Sequence, residues 1–294
     1  MQARSSSYIC YYGAVNTDNK VIQSFTQEVW DYYHDHGRSL PWRDVEPNDA
    51  LNPYKVLVSE IMLQQTQVGR VITKYHEFLE LFPSVHSLAA ASLGDVLRVW
   101  QGLGYNRRAK FLWQAAQVII SEYDGVFPTD QKELTKLPGV GLNTAGAICA
   151  YAYNQPVVFV ETNIRSVFIH HFFIDRDDVH DKELLPLVAG AVQEVVESKE
   201  SPREWYWALM DYGSHLKATA GNASRSSRHY AKQSRFEGSR RQIRGQVLRL
   251  LTQGAVTLVH LQQEVHDERL SGVLDDLVAE SLVAKQGNTY RLAD

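Results

Sequence analysis

Apolar residues recur along most of this chain with the period of an α-helix, and few stretches alternate as a half-buried strand would. One helical run covers residues 22–36 and stops at Gly37. A longer run begins after Pro53 and is predicted to continue as a single helix until Pro83. Shorter helices are predicted at residues 92–101, 106–123, 131–135, 143–153 and 181–198. The pattern therefore predicts an all-α main body.

The pattern changes after residue 213. Residues 214–240 are interpreted as a basic linker, and the run of Lys and Arg side chains continues to Arg244, with Glu237 as its single acid. A nucleic-acid-binding face and a solvated connector would both have this composition. Residues 241–294 hold three helical stretches and then a hairpin that turns at Gly287-Asn288. That order is typical of a winged-helix module, which binds DNA or packs against another protein.

Composition limits the possible classes of protein. The 294 residues are 44% hydrophobic with a formal net charge of −4, which is ordinary for a globular chain and argues against one that is basic over its whole surface. No export signal or membrane-spanning run is evident, so we expect an intracellular, cytoplasmic protein. Cys10 and Cys149 are the only cysteines, too few for a disulfide framework or a four-cysteine metal site.

The stretch LPGVG at residues 137–141 stands in front of a good helix-forming run. Glycines let another molecule's backbone come close, and the first amides of a helix are unpaired at the positive end of its dipole. Such a turn suits a phosphate. On its own, a tightly packed helix–helix turn explains the stretch equally simply.

Five segments occur in order along the chain: LPWR (40–43), PYKVLVSEIMLQQTQV (53–68), VWQGLGYNRRAK (99–110), LPGVGLNTAGAI (137–148) and VETNIRSV (160–167). Together they closely resemble the helix-hairpin-helix DNA glycosylases, and within them the MutY-type adenine glycosylases. The resemblance covers residues 22–213 and implies an all-α fold of two helical lobes. We therefore expect a flexible N-terminus (1–20), a glycosylase domain (21–213), the basic linker (214–240) and a winged-helix-like domain (241–294).

The resemblance assigns catalytic roles to two carboxylates. Glu60 lies in the apolar stretch VLVSEIML, where partial desolvation would raise its pKa towards that of a usable proton donor. The second carboxylate departs from the family, because Glu161 stands where the motif has Asp. It would stabilise the positive charge that develops on the sugar, with a reach one methylene longer. Asn163 matches the motif residue that positions this acid.

The resemblance also implies a set of DNA contacts. Gln64, Gln65 and Tyr105 would enter the base stack, where an amide bonds to base edges and a flat ring stacks. Arg107 and Arg108, followed by Lys110, would contact phosphates. The hairpin would grip a phosphate through its backbone, with a sodium or potassium ion at its carbonyls. Its predicted DNA-binding residues are Leu137, Gly139, Val140, Gly141, Asn143 and Thr144.

The chain also departs from the family pattern at a residue that decides the type of reaction, at the metal cluster and in the C-terminal domain. Asn143 stands where strand-nicking relatives have a Schiff-base lysine, so a monofunctional enzyme is expected. The family's four-iron cluster is expected to be absent, since no cysteine follows Cys149. The winged-helix-like tail leaves little room for the domain that senses oxidised guanine, which puts strict dependence on that base in question.

These features predict a base-excision DNA glycosylase that removes adenine opposite guanine or oxidised guanine. We expect it to act as a monomer on double-stranded DNA containing a mismatch or an oxidised base, in association with the nucleoid. Two alternatives stay open: a thymine or uracil mismatch glycosylase, and a mismatch- or lesion-binding protein with weak or no catalysis.

Overall fold

The computed structural model describes residues 19–45 and 50–294 and confirms the all-α main body. The predicted flexible segment 1–20 lies outside the described residues except for its last two positions. In chain order the elements are α1 (Asn19–His36), α2 (Pro53–Leu63), α3 (Val68–Leu81), α4 (Val85–Ala90), α5 (Leu93–Val99), α6 (Arg107–Tyr123), α7 (Gln131–Leu134), α8 (Leu142–Tyr153), α9 (Thr162–Phe172), α10 (Asp181–Glu197), α11 (Pro202–Thr219), α12 (Arg240–Leu251), β1 (Val256–Thr257), α13 (Leu258–Glu264), α14 (Leu270–Ala279), β2 (Val283–Gln286) and β3 (Thr289–Leu292). Within the described residues, none of the helices combines the length and the apolar content that crossing a bilayer requires.

The chain divides into two compact units. The first contains the described residues of Met1–Val56, Thr129–Thr135 and Val140–Lys232, and the second contains Leu57–Pro128, Lys136–Gly139 and Gln233–Asp294. The boundary therefore falls once inside α2 and once inside the glycine turn.

In the first unit, α9 and α11 pack at very short range. A Cβ added at Gly213 of α11 would lie 2.8 Å from the Cβ of Asn163 and 2.8 Å from its carbonyl oxygen. Phe25 of α1 packs against Phe168 of α9 and Trp205 of α11, with ring centroids 5.0 and 6.1 Å apart. This buried aromatic core holds α1, α9 and α11 together.

In the second unit, serine caps set the starts of two short helices. Ser84 Oγ accepts from a backbone N–H in the first turn of α4, and Ser92 Oγ does the same for α5. Helix α4 packs against α6, and Phe78 of α3 meets Trp100 edge to face with ring centroids 6.1 Å apart. These contacts form the core beneath the loop that carries Tyr105.

The single helix predicted between Pro53 and Pro83 is wrong, because the structure contains two. Helix α2 ends at Leu63 and α3 begins at Val68. Between them Gln65 has a φ of 56°, a left-handed conformation in which an α-helix cannot continue. Apolar residues keep the helical spacing on both sides of this break, so periodicity alone did not reveal it.

The C-terminal region has the predicted order of three helices and a hairpin. Strands β2 and β3 are antiparallel and turn at Gly287, whose φ is 60°. The two-residue strand β1, which was not predicted, pairs with β3 and gives the sheet order β1-β3-β2. The structure is thus consistent with a small winged-helix-like module (residues 240–294). The module contacts α6 of the second unit, to which it belongs: Lys110 Nζ of α6 donates to the carbonyl of Glu280 at 2.6 Å.

The segment predicted as a basic linker is more ordered than a connector. Helix α11 continues to Thr219, and a 3-10 turn at Ala223–Ser226 packs against α9. Several arginines of this segment, and Arg244 just after it, are paired with carboxylates: Arg228 with Asp178 at 3.6 Å, Arg235 with Glu237 at 3.0 Å, Arg240 with Asp276 at 2.6 Å, and Arg244 with Glu280. These pairs reduce the charge that the segment has free for a phosphate.

Candidate active site and DNA interface

The predicted site residues divide between the two units. The first unit holds Val140, Gly141, Asn143, Thr144, Glu161 and Asn163; the second holds Glu60, Gln64, Gln65, Tyr105, Arg107, Arg108, Leu137 and Gly139.

Glu161 is the N-cap of α9. Its Oε1 accepts from the backbone N–H of Ile164 at 2.8 Å and from that of Asn163. These bonds satisfy two of the amides that a helix start leaves open, and the helix dipole there favours a negative charge. The longer glutamate side chain is therefore held by the backbone of the next turn.

Asn163 is held by a lysine from the segment predicted as a basic linker. Lys217 Nζ, in the last turn of α11, donates to Asn163 Oδ1 at 2.7 Å. The Asn163 amide nitrogen contacts Met210 Sδ at 3.7 Å. Lys217 and Gly213 thus support Asn163, and neither was predicted as a site residue from the sequence. The motif MDYG at residues 210–213 was the sequence feature that marks this part of α11.

Burial and the neighbouring positive charges shift the pKa of Glu161 in opposite directions. Burial raises the pKa of Glu161, and this effect outweighs the bonds from Ile164 and Asn163 and the nearby charges of Lys217 and Arg165, which lower it. Burial lowers the pKa of Lys217. The negative charge of Glu161 raises that pKa, and the positive charge of Arg165 lowers it further. Arg165 is itself paired with Asp181 at 2.7 Å. The result is a carboxylate whose ionisation depends on nearby cations.

Glu60 lies near the C-terminal end of α2, half-buried between the buried residues Ser59 and Ile61. Its partial burial agrees with the apolar stretch that surrounds it in the sequence. The raised pKa expected for a proton donor at this position stays a prediction.

Arg108 is not available as a phosphate contact, which corrects the sequence prediction. It is only 8% exposed, and its guanidinium donates to the carbonyls of Ile61, Met62 and Gln64 at 2.8, 2.9 and 2.5 Å. The other nitrogen donates to Thr66 Oγ1 and to the carbonyls of residues 103 and 104 at 3.0–3.2 Å. Burial lowers the pKa of Arg108 to about 10. This side chain closes the end of α2 and ties it to the Tyr105 loop.

The neighbouring cations of α6 differ from Arg108. Arg107 is exposed, with its guanidinium 5.4 Å from the ring centroid of Phe111, and its contact with a phosphate stays a prediction. Lys110 donates to the C-terminal module instead.

Two predicted stacking residues have left-handed backbones. Gln65 is exposed with a φ of 56°, and Tyr105 is half-buried with a φ of 48°. A non-glycine residue pays roughly 1–2 kcal/mol for this conformation, and such strain is concentrated at functional sites. Gln64 is half-buried, and its carbonyl accepts from Arg108.

The glycine turn has two glycines with different roles. Gly139 has a φ of 77°, and a Cβ there would lie 2.7 Å from the Cβ of Phe111. Gly141 is the N-cap of α8 with a φ of −86°, and a Cβ there would meet no atom within 4 Å. The Leu137 and Val140 side chains are buried, so the DNA contacts predicted for these two residues would have to use their backbone.

At the start of α8, Asn143 is exposed and Thr144 is half-buried. Both stand in the first turn, where helix amides lack intrahelical partners. Phosphate binding at this turn stays a prediction.

A buried ionic cluster braces α11 and was also missed. The Asp211 side chain is 1% exposed and accepts from Arg38 Nε at 2.7 Å and from both terminal nitrogens of Arg43 at 2.8 Å. Burial raises the pKa of Asp211, but the two guanidiniums together lower it below its usual value. This cluster stands two residues before Gly213 and therefore supports the helix that presses on Asn163.

Comparison with known proteins identifies the family. The chain is 33% identical over 281 residues to the adenine DNA glycosylase of Mycolicibacterium smegmatis, which covers 87% of this chain and 91% of that protein. The chain belongs to the adenine DNA glycosylase family. Residues 58–187 of this family member match the HhH-GPD superfamily of base excision DNA repair proteins. A relative from Buchnera aphidicola (subsp. Baizongia pistaciae) is 38% identical over 162 residues, which is less than half of its length (45%).

Solved structures agree with the fold of this adenine DNA glycosylase family member. A thermostable thymine-DNA glycosylase aligns with a TM-score of 0.58 at 25% identity, over 70% of this chain and 91% of that one. A trapped endonuclease III–DNA covalent intermediate aligns with a TM-score of 0.51 at 21% identity, over 68% and 86% of the two chains. The second likeness concerns the fold alone.

The residues of this family member do not fit the family's iron–sulfur cluster. The cluster cysteines would follow residues 210–216, where the chain has Lys217 and then small and polar residues. Cys149 is buried in α8, its thiol faces the carbonyl of Thr129 at 3.7 Å, and burial raises its pKa to about 12. Iron ligation requires thiolates, which these residues do not supply.

Proposed function

We propose that this chain is a monofunctional DNA glycosylase of base excision repair that removes adenine mispaired with guanine or oxidised guanine. The observation that carries the proposal is the carboxylate of Glu161, held at the first turn of α9 beside Asn163 and Lys217. A fixed negative charge is what a reaction with a cationic sugar transition state requires.

The proposed reaction breaks the N-glycosidic bond of an extruded nucleotide. Glu60 donates its proton to the departing base, and Glu161, ionised, stabilises the positive charge that develops at the anomeric carbon. Water then adds to that carbon and gives a proton to the Glu60 carboxylate, so that the products are a free base and an abasic sugar and Glu60 is protonated again. Because Glu161 is one methylene longer than the family aspartate, its two backbone bonds are the restraint that supports a fixed position for it.

Strand cleavage through a Schiff base is not part of the proposal. Asn143 offers an amide, which is not a nucleophile, where strand-nicking relatives have a lysine. Borohydride treatment during turnover is therefore expected to trap no protein on DNA at a rate comparable with base release. Trapping at that rate would overturn the monofunctional assignment.

DNA would be held mainly by backbone and by a few side chains. The first turn of α8 offers amides to a phosphate, Arg107 offers a cation, and Gln65 and Tyr105 face the base stack. We propose binding as a monomer to mismatched or oxidised duplexes in an intracellular, nucleoid-associated setting. A sodium or potassium ion at the carbonyls of the turn remains a proposal.

A second candidate function is thymine or uracil excision from mispairs with guanine. It is favoured by the likeness to the thermostable thymine-DNA glycosylase, which covers most of that protein. The fold does not determine which base enters the pocket.

A panel of duplexes distinguishes these functions. Each carries one labelled adenine, thymine or uracil opposite guanine or oxidised guanine, and alkali reveals abasic sites. Adenine release that disappears in Glu60→Gln, with DNA binding retained, is the expected result. Thymine or uracil release alone would establish the second candidate, and tight binding without release would show a mismatch-binding protein.

A further inference from the structure

The Tyr105 phenol is held by side chains that come from the C-terminal part of the chain. Its hydroxyl accepts from Arg241 Nη1 at 2.5 Å and from the Gln233 side-chain amide. The Arg241 guanidinium also lies 5.4 Å from the centroid of the Tyr105 ring, within the range of a cation–π contact. Arg108 approaches the same ring at 5.6 Å.

Arg241 is itself fixed in place. It stands in the first turn of α12, and its second terminal nitrogen donates to the carbonyl of Ser234 at 2.5 Å and to its hydroxyl at 3.2 Å. Helix α12 is anchored in turn by the ion pair between Arg244 and Glu280. The Arg241 guanidinium thus links three parts of the chain: α12 of the module, Ser234 in the segment that precedes the module, and Tyr105.

The backbone of the loop that carries Tyr105 and the side chain of Tyr105 are held by different residues. Gly102 and Gly104 both have left-handed φ values, of 93° and 71°, and a Cβ at Gly104 would meet no atom within 4 Å. Trp100 and Arg108 bond to the backbone of this loop, but they leave the phenol hydroxyl to Gln233 and Arg241. A side chain that is ordered before binding loses less entropy when it binds.

We propose that Arg241 and Gln233 position Tyr105 for insertion into the duplex, so that the C-terminal module takes part in base flipping without contacting the reacting bond. The inference rests on the proposed function, since it requires a base to be extruded. Arg241 and Gln233 are positioning residues, because they act through the ring of Tyr105.

The test is a double-mutant cycle that reads flipping directly. A duplex with 2-aminopurine beside the mispaired base reports unstacking by fluorescence, and single-turnover base release is measured on the same duplex. Arg241→Ala is expected to lower the flipping amplitude and the release rate about three- to tenfold, the effect of freeing one ordered side chain. In a Tyr105→Ala background the same substitution should have no further effect.

Controls separate positioning from charge and from folding. Arg240→Ala removes an equal charge one residue away, where the side chain pairs with Asp276, and should match the unaltered chain. Gln233→Ala, at an exposed position, should reproduce part of the Arg241→Ala effect without any change in thermal unfolding.

Three results would decide against the inference. If Arg241→Ala behaves as the unaltered chain while that chain flips and releases its base, the inference alone fails. If the effects of Arg241→Ala and Tyr105→Ala add fully, Arg241 contacts DNA directly and does not act through the ring. If the unaltered chain neither flips nor releases any base, the proposed function fails and the inference fails with it.

Discussion

The two glycines of the LPGVG turn give a matched pair of substitutions that separates folding from DNA binding. Gly139→Ala places an L-residue at a φ of 77° and a methyl carbon 2.7 Å from the Cβ of Phe111. The left-handed backbone costs roughly 1–2 kcal/mol and the overpacking roughly 1–3 kcal/mol. We therefore expect a loss of about 3 kcal/mol in the free energy of unfolding.

Gly141→Ala adds the same methyl where the backbone is extended and no protein atom lies within 4 Å. Replacing glycine by alanine at an N-cap costs less than about 1 kcal/mol. The methyl would meet only a bound strand, beside the first amides of α8. Loss of one charge-assisted bond to phosphate, worth about 1.5–3 kcal/mol, corresponds to about tenfold or more in DNA affinity.

Urea unfolding and fluorescence anisotropy with a mismatched duplex measure the two quantities. The expected outcome is a stability loss confined to Gly139→Ala and an affinity loss in Gly141→Ala at nearly unchanged stability. Equal destabilisation by both substitutions would refute the structural distinction between the glycines. Normal DNA affinity in Gly141→Ala would refute close approach of a phosphate to this turn.

Three other predictions concern α11 and its neighbours. Lys217→Met removes a charge that lowers the pKa of Glu161, so the acidic limb of the single-turnover pH–rate profile should move to higher pH. Lys217→Arg should return the acidic limb to its original position. Identical acidic limbs in the Lys217→Met and unaltered proteins would contradict the electrostatic role of Lys217. Asp211→Asn leaves two arginines without their buried partner and should cost about 3 kcal/mol in urea unfolding. Because the pKa of Asp211 is lowered on folding, its contribution is present above the pKa of an unfolded aspartate and lost as pH falls through the folded value; a pH-independent difference between the two proteins would rule this out. Gly213→Ala inserts a methyl 2.8 Å from Asn163 and should cost roughly 1–3 kcal/mol while also slowing base release; an unchanged rate would show that α9 does not depend on this contact.

Local structure could be predicted from the sequence where a single local pattern determines it. Helical spacing predicted most of the helices but not α4, α9 or α11, and Gly287-Asn288 marked the hairpin of the module. Glu161 was found by its place in a motif, and its capping bonds follow from a carboxylate that precedes a helix.

What was missed depends on contacts between distant residues. Arg108 looked like a surface cation because its neighbours are basic, and only the fold shows that it closes the end of α2. The pairing of Asp211 with Arg38 joins residues 173 positions apart, and no local pattern encodes it. Lys217 was hidden in a basic segment, because charge counts do not show which way a side chain points.

The six hydrogen bonds of Arg108 connect two stretches that are separate in the sequence, the end of α2 with the turn after it and the loop before α6. The turn that carries Gln65 and the loop that carries Tyr105 bond to the same guanidinium, so opening either one removes part of the support that fixes this side chain for the other. Their amides should therefore exchange with solvent deuterium in one cooperative opening event, at a common free energy. A DNA strand that orders one of the two turns would order the other at little added entropic cost.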